Sequence, residues 1–122
     1  MNKEIQEFCD YEMNIALQNI RELSNLLAAD TELSASKTGE FVKNEIQLNR
    51  VHHFYYKTLK TLEAKNKSLI KALQLTVSKL LGIIKTLEDL YDKDMCKTDK
   101  LSELEKRKEV YKKQRDFLIS LE

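Results

Sequence analysis

The chain is expected to be all-α: an antiparallel helical bundle or coiled coil of three helices with a long central one. Three observations lead there. First, Leu48, His52, Tyr55, Leu59, Leu62, Asn66, Leu69, Leu73, Thr76, Leu80, Ile83, Leu87 and Leu90 follow one another in steps of four and three, and ten of these thirteen are apolar or aromatic. A heptad seam held over six repeats is a helical signal that a strand cannot give. Second, 122 residues contain no proline and only two glycines, Gly39 and Gly82, so little interrupts long helices. Third, 34% of residues are charged and 42% apolar, and the apolar ones recur with a period, as in helices with solvated outer faces and not in disordered chains.

Taken in order, residues 3–28 form the first helix. Cys9, Met13, Ala16, Ile20, Leu23 and Leu27 lie on one face, widened by Ile5, Phe8, Leu17 and Leu26. Glu4, Glu7 and Asp10 sit in its first turns, where negative charge suits the helix dipole. The period is lost over residues 29–38, whose serines and threonines compete with helix through local hydrogen bonds. The main loop is placed there, with Ser36 or Thr38 as the N-cap of the next helix and Gly39 easing its entry.

The second helix spans 40–91 and carries the seam. Asn66 occupies a core position, where a lone Asn fixes register and oligomer state at a cost in stability. Beyond it Ile70, Val77, Ile84 and Tyr91 broaden the apolar face, so this half is covered by two or more helices. Gly82 lies off the seam and could admit a neighbouring backbone. A break at 64–68 is the competing reading: Asn66 caps one helix, Ser68 starts another, and the chain becomes a compact up-down four-helix bundle with helices over 3–28, 40–65, 68–92 and 99–121. Residues 92–100 dilute the pattern into a turn. The last helix, 99–121, sets Leu101, Leu104, Tyr111 and Leu118 on one face. The whole chain reads as a single helical domain.

The two halves of the chain differ in charge. Residues 1–45 hold four basic and nine acidic residues, and residues 46–122 hold seventeen and eleven. An acidic first helix lying on a basic second one accounts for this, as does a basic surface kept for an acidic partner. Cys9 and Cys96 are too few and too far apart for a disulfide framework, and Cys9 falls on the buried face. With no signal-peptide core and no membrane-length apolar run, a soluble cytoplasmic protein is expected.

Catalytic and metal chemistry find no support in the motifs. His52 and His53 are adjacent, about 100° apart around a helix, and cannot share an ion. Neither has a carboxylate three residues before it, as a Glu-x-x-His site requires. Neither a nucleophile elbow nor a phosphate-binding glycine loop is present. No catalytic residue, cofactor or metal is assigned.

The unusual stretch is residues 50–57, Arg-Val-His-His-Phe-Tyr-Tyr-Lys, which packs three aromatics and two histidines into a basic segment. Arg50, Phe54, Tyr56 and Lys57 are the candidate partner-binding residues, because aromatic anchors flanked by Arg and Lys are what interface hot spots use. Packing of the rings on Phe8, Leu23 or Leu26 of the first helix is the alternative. The expectation is a non-enzymatic interaction module, an adaptor or assembly subunit pairing with itself or another helical subunit. The alternatives are a small export or secretion-type chaperone holding a client helix, and weak nucleic-acid binding through residues 50–85.

Overall fold

The computed structural model describes residues 3–61, 67–93 and 98–121, with the side chains of 91–93 and 98–101 left aside. Leu62 and Asn66 of the expected seam fall outside these residues, as do the side chains of Tyr91 and Leu101. Apart from Asp30, Ser36 and Leu121 every described residue is helical: α1 (Lys3–Ala29), α2 (Thr31–Ala35), α3 (Lys37–Thr61), α4 (Lys67–Lys93) and α5 (Thr98–Ser120). No helix among the described residues is long and apolar enough to cross a membrane.

The expected all-α antiparallel bundle is what forms, but it is built from four long helices and one short one. A single central helix over 40–91 is corrected by one contact. His52 Nε2 lies 2.6 Å from Thr76 Oγ1, 24 residues further on; along one straight helix they would be roughly 36 Å apart. α3 and α4 lie side by side instead. The seam could not distinguish these cases, because a helix folded back on its neighbour buries the same heptad stripe as one paired with a second chain.

The other helices follow the same up-down plan. α1 runs antiparallel to α3, with Asp10 paired to Lys60 at 2.6 Å and Asn19 bonded to Asn49. α4 runs antiparallel to α5, with Glu88 paired to Lys108 at 3.3 Å and the Gln74 carboxamide donating to the Leu118 carbonyl. α5 then closes the square against α1. No Cα of α5 comes within 8 Å of one in α1 among the described residues; longer side chains bridge the gap. Phe8 stacks on Phe117 with ring centroids 3.8 Å apart, and Gln114 bonds Glu12.

The stretch expected as a loop contains α2. Asp30 caps it, its carboxylate accepting from Leu33 N–H at 3.0 Å, and Leu33 is buried beneath it. Ser36 then caps α3, its hydroxyl accepting from Gly39 N–H at 3.1 Å, as the sequence suggested. The glycine at 39 is a matter of space. A Cβ there would stand 2.0 Å from the Leu33 carbonyl oxygen, so the corner closes only without a side chain.

Each long helix buries a heptad line. On α4 it is Ile70, Leu73, Val77, Leu80, Ile84 and Leu87, with Thr76 beside it. On α1 it is Ile5, Cys9, Glu12, Ala16, Asn19 and Leu23, and on α3 it is Val42, Glu45, Ile46, Asn49, His52, Tyr56 and Leu59. α5 contributes Leu104, Tyr111, Gln114 and Leu118. Of the expected seam, Leu59, Leu73, Leu80 and Leu87 are buried, whereas Tyr55, Leu69, Ile83 and Leu90 are only partly so. The correction is sharpest on α3, where the buried stripe is rotated towards Asn49 and Tyr56.

Candidate functional site

All four long helices bring polar side chains into the core, and these separate into two groups. The first links α1, α3 and α5. Glu45 is fully buried, and its Oε2 accepts from Arg107 Nε and from the Tyr111 hydroxyl, both at 2.7 Å. Tyr111 Oη in turn accepts from Asn49 Nδ2 at 3.1 Å and Asn19 Nδ2 at 3.4 Å. Asn19 Nδ2 also donates to Asn49 Oδ1 at 3.2 Å, and Asn49 Nδ2 to the Glu45 carbonyl at 2.9 Å. Burial and the adjacent Glu45 charge push the Tyr111 phenol well above its ordinary value, so it stays a hydroxyl and a donor to the carboxylate. A buried carboxylate is tolerated only when paired and hydrogen-bonded, and Arg107 with Tyr111 supplies both.

The second group lies nearer the N-terminal end of α1. Gln114 Nε2 donates to Glu12 Oε2 in a buried pair. Burial pushes the Glu12 carboxyl up to about 7, partly opposed by that hydrogen bond. Burial, with Asp10 and Glu12 nearby, raises the Cys9 thiol to about 11. A thiol so held is a poor nucleophile, and Cys9 is an inert core residue. Thr76 Oγ1 donates to the Leu73 carbonyl at 2.8 Å, so it accepts from His52, which fixes the proton on His52 Nε2. Burial lowers His52 to about 4 and keeps it neutral. Three buried polar atoms here have no hydrogen-bond partner: His52 Nδ1, Tyr56 Oη and Gln114 Oε1.

The candidate partner-binding residues divide. Arg50 and Lys57 are exposed, and Phe54 shows 64% of its surface to solvent beside the Tyr55 ring at 6.0 Å. Tyr56 does not join them. It is wholly buried, edge-on to Phe8 at 5.7 Å and to His52 at 5.6 Å. The ring cluster is therefore split, with Tyr56 packing on the first helix and Phe54 facing outward. The reason is the helical period, since residues two apart on a helix point about 200° from one another.

Comparison with family models, with curated proteins and with solved structures gives no match. The site is therefore characterised by its own geometry.

The surface of α3 and α4 is one-sided in charge. From Lys43 to Lys85 the described residues include a single acidic one, Glu45, and it is buried against Arg107. Lys60 pairs with Asp10 of α1, which realises part of the complementarity between the acidic and basic halves. Arg50, Lys57, Lys71, Lys79 and Lys85 are exposed and make no ion pair among the described residues. Between the two helices runs a shallow groove of about 470 Å³ lined by Asn44, Gln47, Leu48, Lys79, Gly82, Ile83 and Thr86. Sequence reasoning passed over Asn44, Gln47 and Ile83 as lining residues. The only signal for the groove was Gly82, off the seam in a helix with no other interruption.

Proposed function

We propose that this chain is a non-catalytic helical interaction module, an adaptor or assembly subunit of the cytoplasm, that meets its partner through the outward face of α3. The observation that carries the reading is Phe54, 64% exposed between exposed Arg50 and Lys57 on a helix whose other side is fully packed. Burying a phenylalanine is worth about 1.5–3 kcal/mol, and a partner that covers Phe54 recovers this. Aromatic anchors with adjacent Arg are the commonest hot-spot chemistry. The buried carboxyls Glu45 and Glu12 are hydrogen-bonded to Arg107, Tyr111 and Gln114 inside the bundle, which supports a packing role for them.

The test is photo-crosslinking in the native cell from a benzophenone side chain placed at position 54, with position 103 as control. Glu103 is exposed on α5. The reading expects a discrete adduct from 54, absent from 103 and lost with Arg50→Glu plus Lys57→Glu. Equal adducts from both positions, or none from 54, would remove it. A protease-resistant, nuclease-sensitive adduct would move the assignment to nucleic acid. The groove favours one variant of the reading, a chaperone that holds a client helix and then releases it; turnover of the adduct in a chase separates that variant from a permanent subunit.

A further inference from the structure

We infer that Glu12 is a proton-binding site that latches the bundle: as the neutral acid it pairs in both directions with Gln114 and closes α5 onto α1, and loss of its proton opens that side. The latch is independent of what the outward face of α3 binds.

The described residues bury two glutamates, Glu45 and Glu12, and provide for them differently. Glu45 receives the Arg107 guanidinium and the Tyr111 hydroxyl, both at 2.7 Å. Glu12 receives only the Gln114 carboxamide and joins no ion pair among the described residues. Gln114 is equally enclosed, and its Oε1 is a buried acceptor that no donor reaches. A carboxylate offers acceptors alone and leaves that oxygen unpartnered, whereas a carboxylic acid has one O–H to give. With the proton in place, Gln114 Nε2 donates to Glu12 and Glu12 donates to Gln114 Oε1. Both buried groups are then satisfied.

The groups around this pair do not favour the charged form. On α1, burial keeps Cys9 a thiol, and Asp10 is paired with Lys60 of α3 at 2.6 Å. On α3, Tyr56 stays a phenol whose Oη has no partner. His52, one turn before it, is neutral and bound to Thr76 of α4; Lys71 and Lys79 of α4 are exposed. On α5, Arg107 and Tyr111 are bonded to Glu45, and Arg115 pairs with Asp116. Burial pushes Glu12 up to about 7, and the bond from Gln114 offsets only part of this.

Glu12 also sits on the side of the bundle with least to hold it. Backbones approach closely between α1 and α3, α3 and α4, and α4 and α5, whereas no Cα of α5 lies within 8 Å of one in α1 among the described residues. Side chains close the gap: the Phe8–Phe117 stack, the Glu12–Gln114 pair and, further along, Asn19 Nδ2 on Tyr111 Oη at 3.4 Å. Phe8 is one turn before Glu12 and Phe117 three residues after Gln114, so stack and latch share one layer of the core. Loss of the proton to water strands a charge in that layer beside an acceptor. Swinging the α4–α5 hairpin away from α1, about the α3–α4 contact, lets water reach it.

Cys9, fully buried three residues before Glu12, reports the opening. The experiment labels Cys9 with an uncharged aromatic disulfide across a pH series, in the full chain carrying Cys96→Ser. Each rate is divided by that of the urea-unfolded chain at the same pH, so that thiolate chemistry cancels. An opening that returns Glu12 to its ordinary 4.5 raises this ratio by about twentyfold from about pH 5 to about pH 6.5, with a plateau above about pH 7.5. Global unfolding gives a different profile, because it also frees His52, whose proton uptake offsets the loss from Glu12 and leaves the same window level. Glu12→Gln supplies both hydrogen bonds at every pH and is expected to abolish the rise. Should that variant not fold, the carboxyl carbon NMR shift of Glu12 in the native chain decides: a midpoint near 7 supports the latch and one near 4.5 overturns it. A level ratio in the native chain, or an undiminished rise in Glu12→Gln, also overturns it.

Discussion

Glu12 and His52 pull the pH dependence of stability in opposite directions. Glu12 takes its proton at about 7 in the fold and at 4.5 as a free side chain, so the folded state holds the extra proton between those values. Its contribution is complete below 4.5 and is lost as pH rises through 7. His52 titrates at about 4 in the fold and 6.5 outside it. Its contribution is complete above 6.5 and is lost as pH falls through 4. Each effect is about 3 kcal/mol at full extent, and between 4.5 and 6.5 the slopes cancel. Urea unfolding of the native chain should therefore be nearly level across that window. Glu12→Gln should replace the plateau with a rise from pH 4 to 6.5, and it should stabilise the chain at pH 8, where the native carboxylate is buried and charged. The introduced carboxamide can also donate to the orphaned Gln114 Oε1. A level profile in Glu12→Gln would show that His52 is not perturbed, and a native profile that already rises from pH 4 to 6.5 would show that Glu12 is not.

The two glycines make a second prediction at this scale. Gly39→Ala forces a Cβ against the Leu33 carbonyl and should cost about 3 kcal/mol through backbone displacement. Gly82→Ala should gain about 1 kcal/mol from propensity alone. Thermal melts of the two variants should move in opposite directions.

At the scale of the elements, the helix plan and the apolar faces of α4 and α5 could be read from the chain, and the faces of α1 and α3 only in part. The ends of α1 and α5 and the cap at Ser36 followed from apolar period and local hydrogen-bonding residues. The faces failed where the core is polar. On α1, Ile5, Cys9, Ala16 and Leu23 leave heptad gaps at 12 and 19, and those gaps hold Glu and Asn. On α3, Val42, Ile46 and Leu59 leave gaps filled by Asn49, His52 and Tyr56. A rule that sends polar residues outward rotates both helices towards their half-exposed leucines. What makes the observed rotation stable is pairing between helices, such as Glu45 with Arg107, separated by 62 residues, and no local pattern contains that. α2 escaped for a similar reason, since its anchor is one buried leucine in a polar stretch. The pairing itself can be tested. Arg107→Met removes the cation and leaves the Glu45 carboxylate buried, which should destabilise by about 3–5 kcal/mol. Arg107→Met with Glu45→Met should recover much of that. Failure of the double variant to recover would mean that the pair contributes more than the mutual cancellation of two buried charges.

For the whole molecule, the consequence of α5 touching α1 only through long side chains is one of timing. α1 with α3, α3 with α4, and α4 with α5 are neighbours along the chain, and each pair can form by a short reversal at little entropic cost. The α1–α5 closure joins residues about a hundred apart, as in Glu12 with Gln114, 102 positions along. Its loop-closure entropy is the largest, and no backbone contact repays it early. We expect the rate-limiting step of folding to be over before this seam is made. Truncating the Phe8–Phe117 stack by Phe117→Ala should then accelerate unfolding and leave the folding arm of the chevron in place, a φ-value near zero. Truncation at the α1–α3 contact, as in Leu23→Ala, should slow folding. The bundle would thus be a square whose last side is the first to open.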